Sequence, residues 1–137
     1  MKRILVCDDE PHIVEGLRHL LRDRDRLIEG ARCGKEALAR IAAACDRPEG
    51  PPDLLITDVM MPEMSGLDVV ASLRSSDATK DLPIIILTAK GHAQDAAMAQ
   101  EVWGATVVAK PFDPQRLREL VTAILENRLC PQVGSIS

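Results

Sequence analysis

Leu54-Leu55-Ile56-Thr57-Asp58 decides the fold. Its first four residues form a short apolar run with no alternation, the pattern of a strand buried on both faces of a sheet. The run then stops on a carboxylate. The same design recurs on either side. Ile4-Leu5-Val6-Cys7 runs into Asp8-Asp9, Ile84-Ile85-Ile86-Leu87 ends at Thr88, and Thr106-Val107-Val108-Ala109 ends at Lys110-Pro111. Leu27 to Ala31 is a weaker strand candidate.

Between these runs the apolar period changes to that of helices. Pro11 suits a first helical turn with Asp9 or Glu10 as cap, and Ile13, Val14, Leu17, Leu20 and Leu21 continue a helix to about Asp23. Ala37, Leu38, Ile41, Ala42 and Cys45 mark a second helix, ended by the breakers from Arg47 to Pro52. A loop with Pro62 and Gly66 opens a third, carrying Leu67, Val70 and Leu73. Ala93 to Trp103 forms a fourth, and Leu117, Leu120, Val121, Ile124 and Leu125 define the last. Buried strands joined by helical crossovers predict an α/β fold, a doubly wound five-stranded parallel sheet with helices on both faces.

A chain of 137 residues fits one domain, and 46% hydrophobic with 28% charged residues is ordinary for a globular protein. The net charge of −4, with no basic stripe, gives no reason to expect direct nucleic-acid binding. The four apolar residues after the amino-terminal Met-Lys-Arg are too few for a signal peptide or a membrane span, so a cytoplasmic protein is expected. Cys7, Cys33, Cys45 and Cys130 lack metal-ligand or disulfide spacing, and Cys7 and Cys45 suit small buried thiols.

Ligands of an open parallel sheet bind beyond the carboxyl ends of its strands. Four strand ends deliver Asp8, Asp9, Asp58, Thr88 and Lys110 to that edge. Singly, an acid there is a helix cap, a threonine the same, and a lysine a solvated cation. Together they require one explanation. Three carboxylates repel unless a cation joins them, and an oxygen-rich site without histidine or thiolate suits Mg²⁺. A carboxylate can also act as a nucleophile towards phosphorus, with an ammonium and a hydroxyl meeting the phosphoryl oxygens.

Asp8-Asp9-Glu10, Thr57-Asp58-Val59-Met60-Met61-Pro62-Glu63-Met64-Ser65-Gly66, Thr88-Ala89 and Lys110-Pro111-Phe112 resemble the signature of bacterial two-component response-regulator receivers of the CheY-like type. The resemblance implies a flavodoxin-like strand order of 2-1-3-4-5 and a receiver domain over 2–126. Residues 127–137 are then a flexible tail or the start of a linker. It implies that Asp58 accepts a phosphoryl group from a histidine kinase or phosphotransfer protein, with Thr88 and Lys110 contacting the phosphoryl oxygens. Mg²⁺ would be held by Asp9, Asp58 and the Met60 backbone carbonyl, with Asp8 helping through water. Ala89 would leave the site open, and Lys110-Pro111 would be cis. Such a protein is a signalling switch that catalyses only its own phosphoryl transfer and dephosphorylation. It would act as a monomer or weak phosphorylation-dependent homodimer on a downstream protein target.

One position departs from the pattern. Many relatives carry an aromatic residue three positions before the lysine, where this chain has Val107, and the acidic pair that precedes it in winged-helix members is absent. Three rival readings fare worse. A haloacid-dehalogenase-type phosphatase needs a second acid where Met60 stands. A flavin module needs a phosphate-binding loop where Asp8-Asp9 would repel one. A scaffold that is never phosphorylated does not need an intact acid set. His12 and His19 lie on the first helix with no paired ligand, His92 falls in a loop beside Thr88, and Trp103 is expected to pack rather than bind.

Overall fold

The computed structural model describes residues 1–89 and 93–127. Its elements alternate as β1 (Lys2–Cys7), α1 (Pro11–Leu21), β2 (Arg26–Ala31), α2 (Gly34–Cys45), β3 (Leu54–Asp58), α3 (Gly66–Arg74), β4 (Ile84–Thr88), α4 (Ala93–Trp103), β5 (Thr106–Ala109) and α5 (Pro114–Asn127). All four strand pairs are parallel, in the order β2-β1-β3-β4-β5. The expected sheet is present, and its winding reverses between β1 and β3.

Alternation along each strand splits the core into two layers. Leu5, Cys7, Leu55, Ile84 and Ile86 face Ala37, Ile41, Val69, Val70 and Ala99 of α2, α3 and α4. Ile4, Val6, Leu54, Ile56, Ile85 and Leu87 face Val14, Leu17, Leu21, Leu117 and Val121 of α1 and α5. Strands buried on both sides need no polar alternation, which is why they read as unbroken apolar runs. Each such Ile or Leu removed from water contributes about 1.5–3 kcal/mol.

Element ends are set by local chemistry. Glu10 occupies the cap position of α1, but neither its side chain nor that of Asp9 caps the helix; the Asp8 carboxylate instead accepts from the Glu10 N–H. The helix stops at Leu21, two residues short of the expected Asp23. Cys33 caps α2, its Sγ accepting from the Glu36 N–H at 3.5 Å while Glu36 Oε1 accepts from the Arg32 N–H at 2.6 Å. Ser65 and Asp68 form a reciprocal capping box that opens α3. The breaker-rich loop after α2 is tied to β1 by the Arg3 guanidinium, which donates to the carbonyls of Glu49, Gly50 and Pro51. Gly30 lets α1 lie close to the sheet, since a Cβ there would stand 2.6 Å from Val14 Cγ1.

Lys90, Gly91, His92 and residues 128–137, including Cys130, lie outside the described residues, and with them the tail expected at 127–137 apart from Asn127, the last residue of α5. Of the described cysteines, Cys7 is buried while Cys33 and Cys45 are half-buried, so Cys45 is less enclosed than its helical stripe predicts. Trp103 packs against the core as expected. No helix among the described residues is long and apolar enough to cross a membrane.

Candidate functional site

The reversal of winding between β1 and β3 leaves a crevice beyond their carboxyl ends, and the acids are delivered there by register. Cys7 pairs with Thr57 across β1 and β3, so Asp8 and Asp58 leave adjacent strands at the same level. Carboxylate oxygens of Asp8, Asp9 and Asp58 lie within 4.8 Å of one another. On the other side of β3, Asp58 pairs with Leu87, and Thr88 of β4 pairs with Ala109 of β5, which brings Lys110 to the same edge. Lys110 donates from Nζ to Asp58 Oδ2 at 3.1 Å.

The three acids differ in environment. Asp8 is only 2% exposed, Asp58 is half-buried and Asp9 is exposed. Asp8 Oδ1 accepts from the Glu10 N–H at 2.9 Å, while Oδ2 is buried without a hydrogen-bond partner among the described residues. Burial raises the Asp8 pKa above the usual carboxylate value, and the charges of Asp58 and Asp9 push it the same way; the Glu10 N–H and Lys110 oppose the rise. A buried carboxylate with one oxygen lacking a donor among the described residues, beside two more carboxylates, is a strong acceptor set. Its all-oxygen chemistry would fit a hard divalent ion.

Asp58 is held on both sides. Its Oδ1 accepts from the Met60 N–H at 3.3 Å, and its Oδ2 faces Lys110. Its backbone is fixed by Gly66, where a Cβ would collide with the Asp58 carbonyl oxygen, and the Gly66 N–H donates to Val59 O at 2.9 Å. The sequence reading placed Gly66 in the loop that opens the third helix and at the end of the receiver-like motif, without a physical reason for it. Its real constraint is this close backbone approach, signalled by a lone glycine eight residues after the acid. Glu63, in the same loop, takes a left-handed conformation with φ 68°.

Thr88 is buried at its strand end, with its hydroxyl donating to its own neighbour Ala89 O at 3.3 Å; Ala89 is exposed. The Lys110 backbone N–H donates to Thr88 O at 2.8 Å, and the Lys110-Pro111 bond is cis as expected. Met60 lies on the exposed loop after Asp58. Val107 is half-buried on β5. Beneath the acids, Cys7 Sγ contacts Met61 Sδ at 3.5 Å, and burial pushes its thiol pKa up to about 12, so it stays protonated and unreactive. His12 pairs with Glu10 at 3.1 Å on the surface.

Comparison with known proteins agrees with this geometry. Residues 4–122 match the family model described as "Response regulator receiver domain". The response regulator MprA of Mycolicibacterium vanbaalenii is 37% identical over 133 residues, which cover 97% of this chain and 54% of that protein. The response regulator SaeR of Staphylococcus epidermidis is 33% identical, over 85% of this chain and 47% of its own length. The chain thus spans about half the length of the curated relatives it matches. Among solved structures, the response regulator TrrA from Thermotoga maritima, in complex with Mg(2+)-BeF, is 39% identical with a TM-score of 0.75, covering 91% of this chain and 100% of that one. A putative response regulator from Chloroflexus aurantiacus is 35% identical with a TM-score of 0.79, covering 91% and 98%. A fold with its winding reversed at an acid crevice, matched along nearly its whole length, belongs to the response regulator receiver domain family of two-component signalling.

Proposed function

We propose that Asp58 accepts a phosphoryl group from a phosphohistidine on a histidine kinase or phosphotransfer protein in the cytoplasm, in a reaction requiring Mg²⁺. The observation that supports this reading is the three-carboxylate cluster closed on one side by Lys110, with Asp8 Oδ2 buried and unsatisfied among the described residues. Asp9, Asp58 and the Met60 carbonyl are the candidate direct ligands, with Asp8 behind them. The ion supplies positive charge against the phosphoryl oxygens.

The chain's own groups perform the rest. An Asp58 carboxylate oxygen forms the new bond to phosphorus as the phosphorus–nitrogen bond of the donor breaks, and the leaving imidazole takes a proton from solvent. Lys110, now on Asp58 Oδ2, transfers its hydrogen bond to a phosphoryl oxygen. Thr88 turns its hydroxyl from Ala89 O towards the phosphoryl group, which costs little because that bond is long and local. The changed surface then meets a downstream protein target. The chain is a signalling switch that turns over only its own phosphoryl group.

Incubation with acetyl phosphate and Mg²⁺ tests this. Acid-labile, hydroxylamine-sensitive phosphate should appear on the wild type and vanish in Asp58→Asn or after chelation. Labelling that survives the substitution would place the acceptor elsewhere.

A further inference from the structure

At the end of the sheet away from the acids, a groove of about 330 Å³ runs between α1 and the outer edge of β2, lined by Glu15, Arg18, His19, Arg22, Arg26 and Leu27 beside Ile28. Three guanidiniums face one carboxylate, on a chain whose net charge is −4. The acids of the adjoining turn, Asp23 and Asp25, do not line it. Glu15 is paired with Arg18 at 3.5 Å. Arg26 is fixed by donating to Leu21 O at 3.2 Å and Thr122 Oγ1 at 2.8 Å, while Arg22 is exposed with no recorded partner among the described residues. Local charge is inverted here.

The groove also opens onto unpaired backbone. β2 is a terminal strand whose one partner is β1. Lys2 N–H donates to Asp25 O and Asp8 N–H to Ala31 O, so the odd-numbered residues of β2 turn their backbone groups towards β1. Alternation then points those of Arg26, Ile28 and Gly30 outward. The Arg26 N–H is taken by Asp23 O, which leaves Ile28 and Gly30 for an added strand. Leu27 stands at this edge, 45% exposed, one of few large apolar side chains so exposed among the described residues.

We propose that the β2 edge is a docking site for an extended acidic segment of a partner protein, joined by strand addition and read by Arg18, Arg22 and Arg26. The arginines decide the occupant. Charged side chains normally guard an edge strand against unwanted pairing. Here three guanidiniums set against one carboxylate attract a strand carrying carboxylates and disfavour a basic one. Backbone hydrogen bonds would supply affinity, Leu27 an apolar contact and the guanidiniums selectivity.

The test uses the full chain with labelled backbone amides and two short blocked peptides, one alternating glutamate with valine and one alternating lysine with valine. The glutamate peptide should shift the amide resonances of Ile28 and Gly30, slow their hydrogen exchange, and lose affinity as salt is added. Replacing both exposed arginines (Arg18→Ser with Arg22→Ser) should weaken it by about three- to tenfold. Thermal unfolding of this variant checks its fold, and Arg22→Ser alone gives the same reading with less perturbation. No shift at β2 with millimolar glutamate peptide, an equal response to the lysine peptide, or undiminished binding by the folded variants would overturn the proposal. Acetyl phosphate labelling at Asp58 should be unchanged in both variants, so failure here is separable from failure of the proposed function.

Discussion

The ammonium of Lys110 stands 3.1 Å from Asp58 Oδ2, joining residues 52 positions apart in the chain. It offsets part of the repulsion within the acid cluster, and so competes with any divalent cation for the same carboxylate. Removing it should tighten Mg²⁺ rather than release it. We expect Lys110→Ala to lower the Mg²⁺ dissociation constant by about two- to tenfold in calorimetric titration, the scale of one unit charge acting through a partly solvated site. The phosphorylated variant should fail to change its partner-binding surface. Weaker Mg²⁺ binding would mean that Lys110 organises the acids instead of competing for them.

Asp8 makes the complementary case. Its buried Oδ2 has no donor among the described residues, and its charge faces those of Asp58 and Asp9. In metal-free buffer at neutral pH, Asp8→Asn should therefore stabilise the protein by roughly 1 kcal/mol in urea unfolding, because a buried unpaired charge is removed. Adding Mg²⁺ should reverse the order, since the wild type gains more from the ion. A variant less stable than wild type without metal would show that the carboxylate is satisfied in a way the geometry does not reveal.

Gly66 should tolerate no side chain. The Asp58 carbonyl occupies the space a Cβ would need, and that oxygen belongs to the residue at the centre of the site. Gly66→Ala is expected to cost about 1–3 kcal/mol by overpacking and to slow acetyl phosphate labelling in the fraction that folds. Wild-type stability with wild-type labelling would count against this coupling.

The parts of this molecule legible in its sequence are those fixed by burial and spacing. Ile84 to Leu87 could only be a strand enclosed on both sides, and Asp8, Asp9, Asp58 and Lys110 follow runs of that kind, so their convergence followed from topology. Contacts that depend on atomic positions were not legible. Nothing in the spacing distinguishes the satisfied Oδ1 of Asp8 from its orphaned Oδ2, or identifies Cys33 as a cap, because sulfur is an uncommon acceptor there. Thr88 was expected to contact a phosphoryl group; the structure shows its hydroxyl donating to Ala89 O, and the direction a threonine hydroxyl takes is not written in the sequence.

Arg74, in the last turn of α3, is a further feature that the apolar spacing of that helix does not reveal. Its guanidinium is half-buried and donates to the carbonyls of Trp103 at 2.7 Å, Leu82 at 2.7 Å and Thr79 at 3.3 Å. It joins the end of α3 to the loop before β4 and to the end of α4. Arg74→Ala removes the guanidinium donor from the Trp103 and Leu82 carbonyls, while Thr79 O keeps the Leu82 N–H, and should cost about 2–4 kcal/mol in urea unfolding. Arg74→Lys should recover only part, since one ammonium cannot match the planar fork. Full recovery by lysine would reduce the role to a point charge.

Glu36 allows a pH test with a definite sign. The Arg32 N–H donating to Oε1 at 2.6 Å is the main reason its carboxyl is held below the usual range, with Arg40 adding to the effect. A carboxyl whose folded pKa lies below its unfolded value binds its proton less readily when folded. Its stabilisation is complete above the unfolded value of about 4.3 and disappears as pH falls through the folded one. The stability of wild type over Glu36→Gln should thus be constant above about pH 5 and shrink on acidification below about pH 4. Its size should stay under about 1 kcal/mol, because the Arg40 pair is partly exposed and screened. High salt should remove the Arg40 share and leave that of the Arg32 N–H. A difference that grew on acidification would reverse the inferred direction of the shift and refute the capping role of this carboxylate.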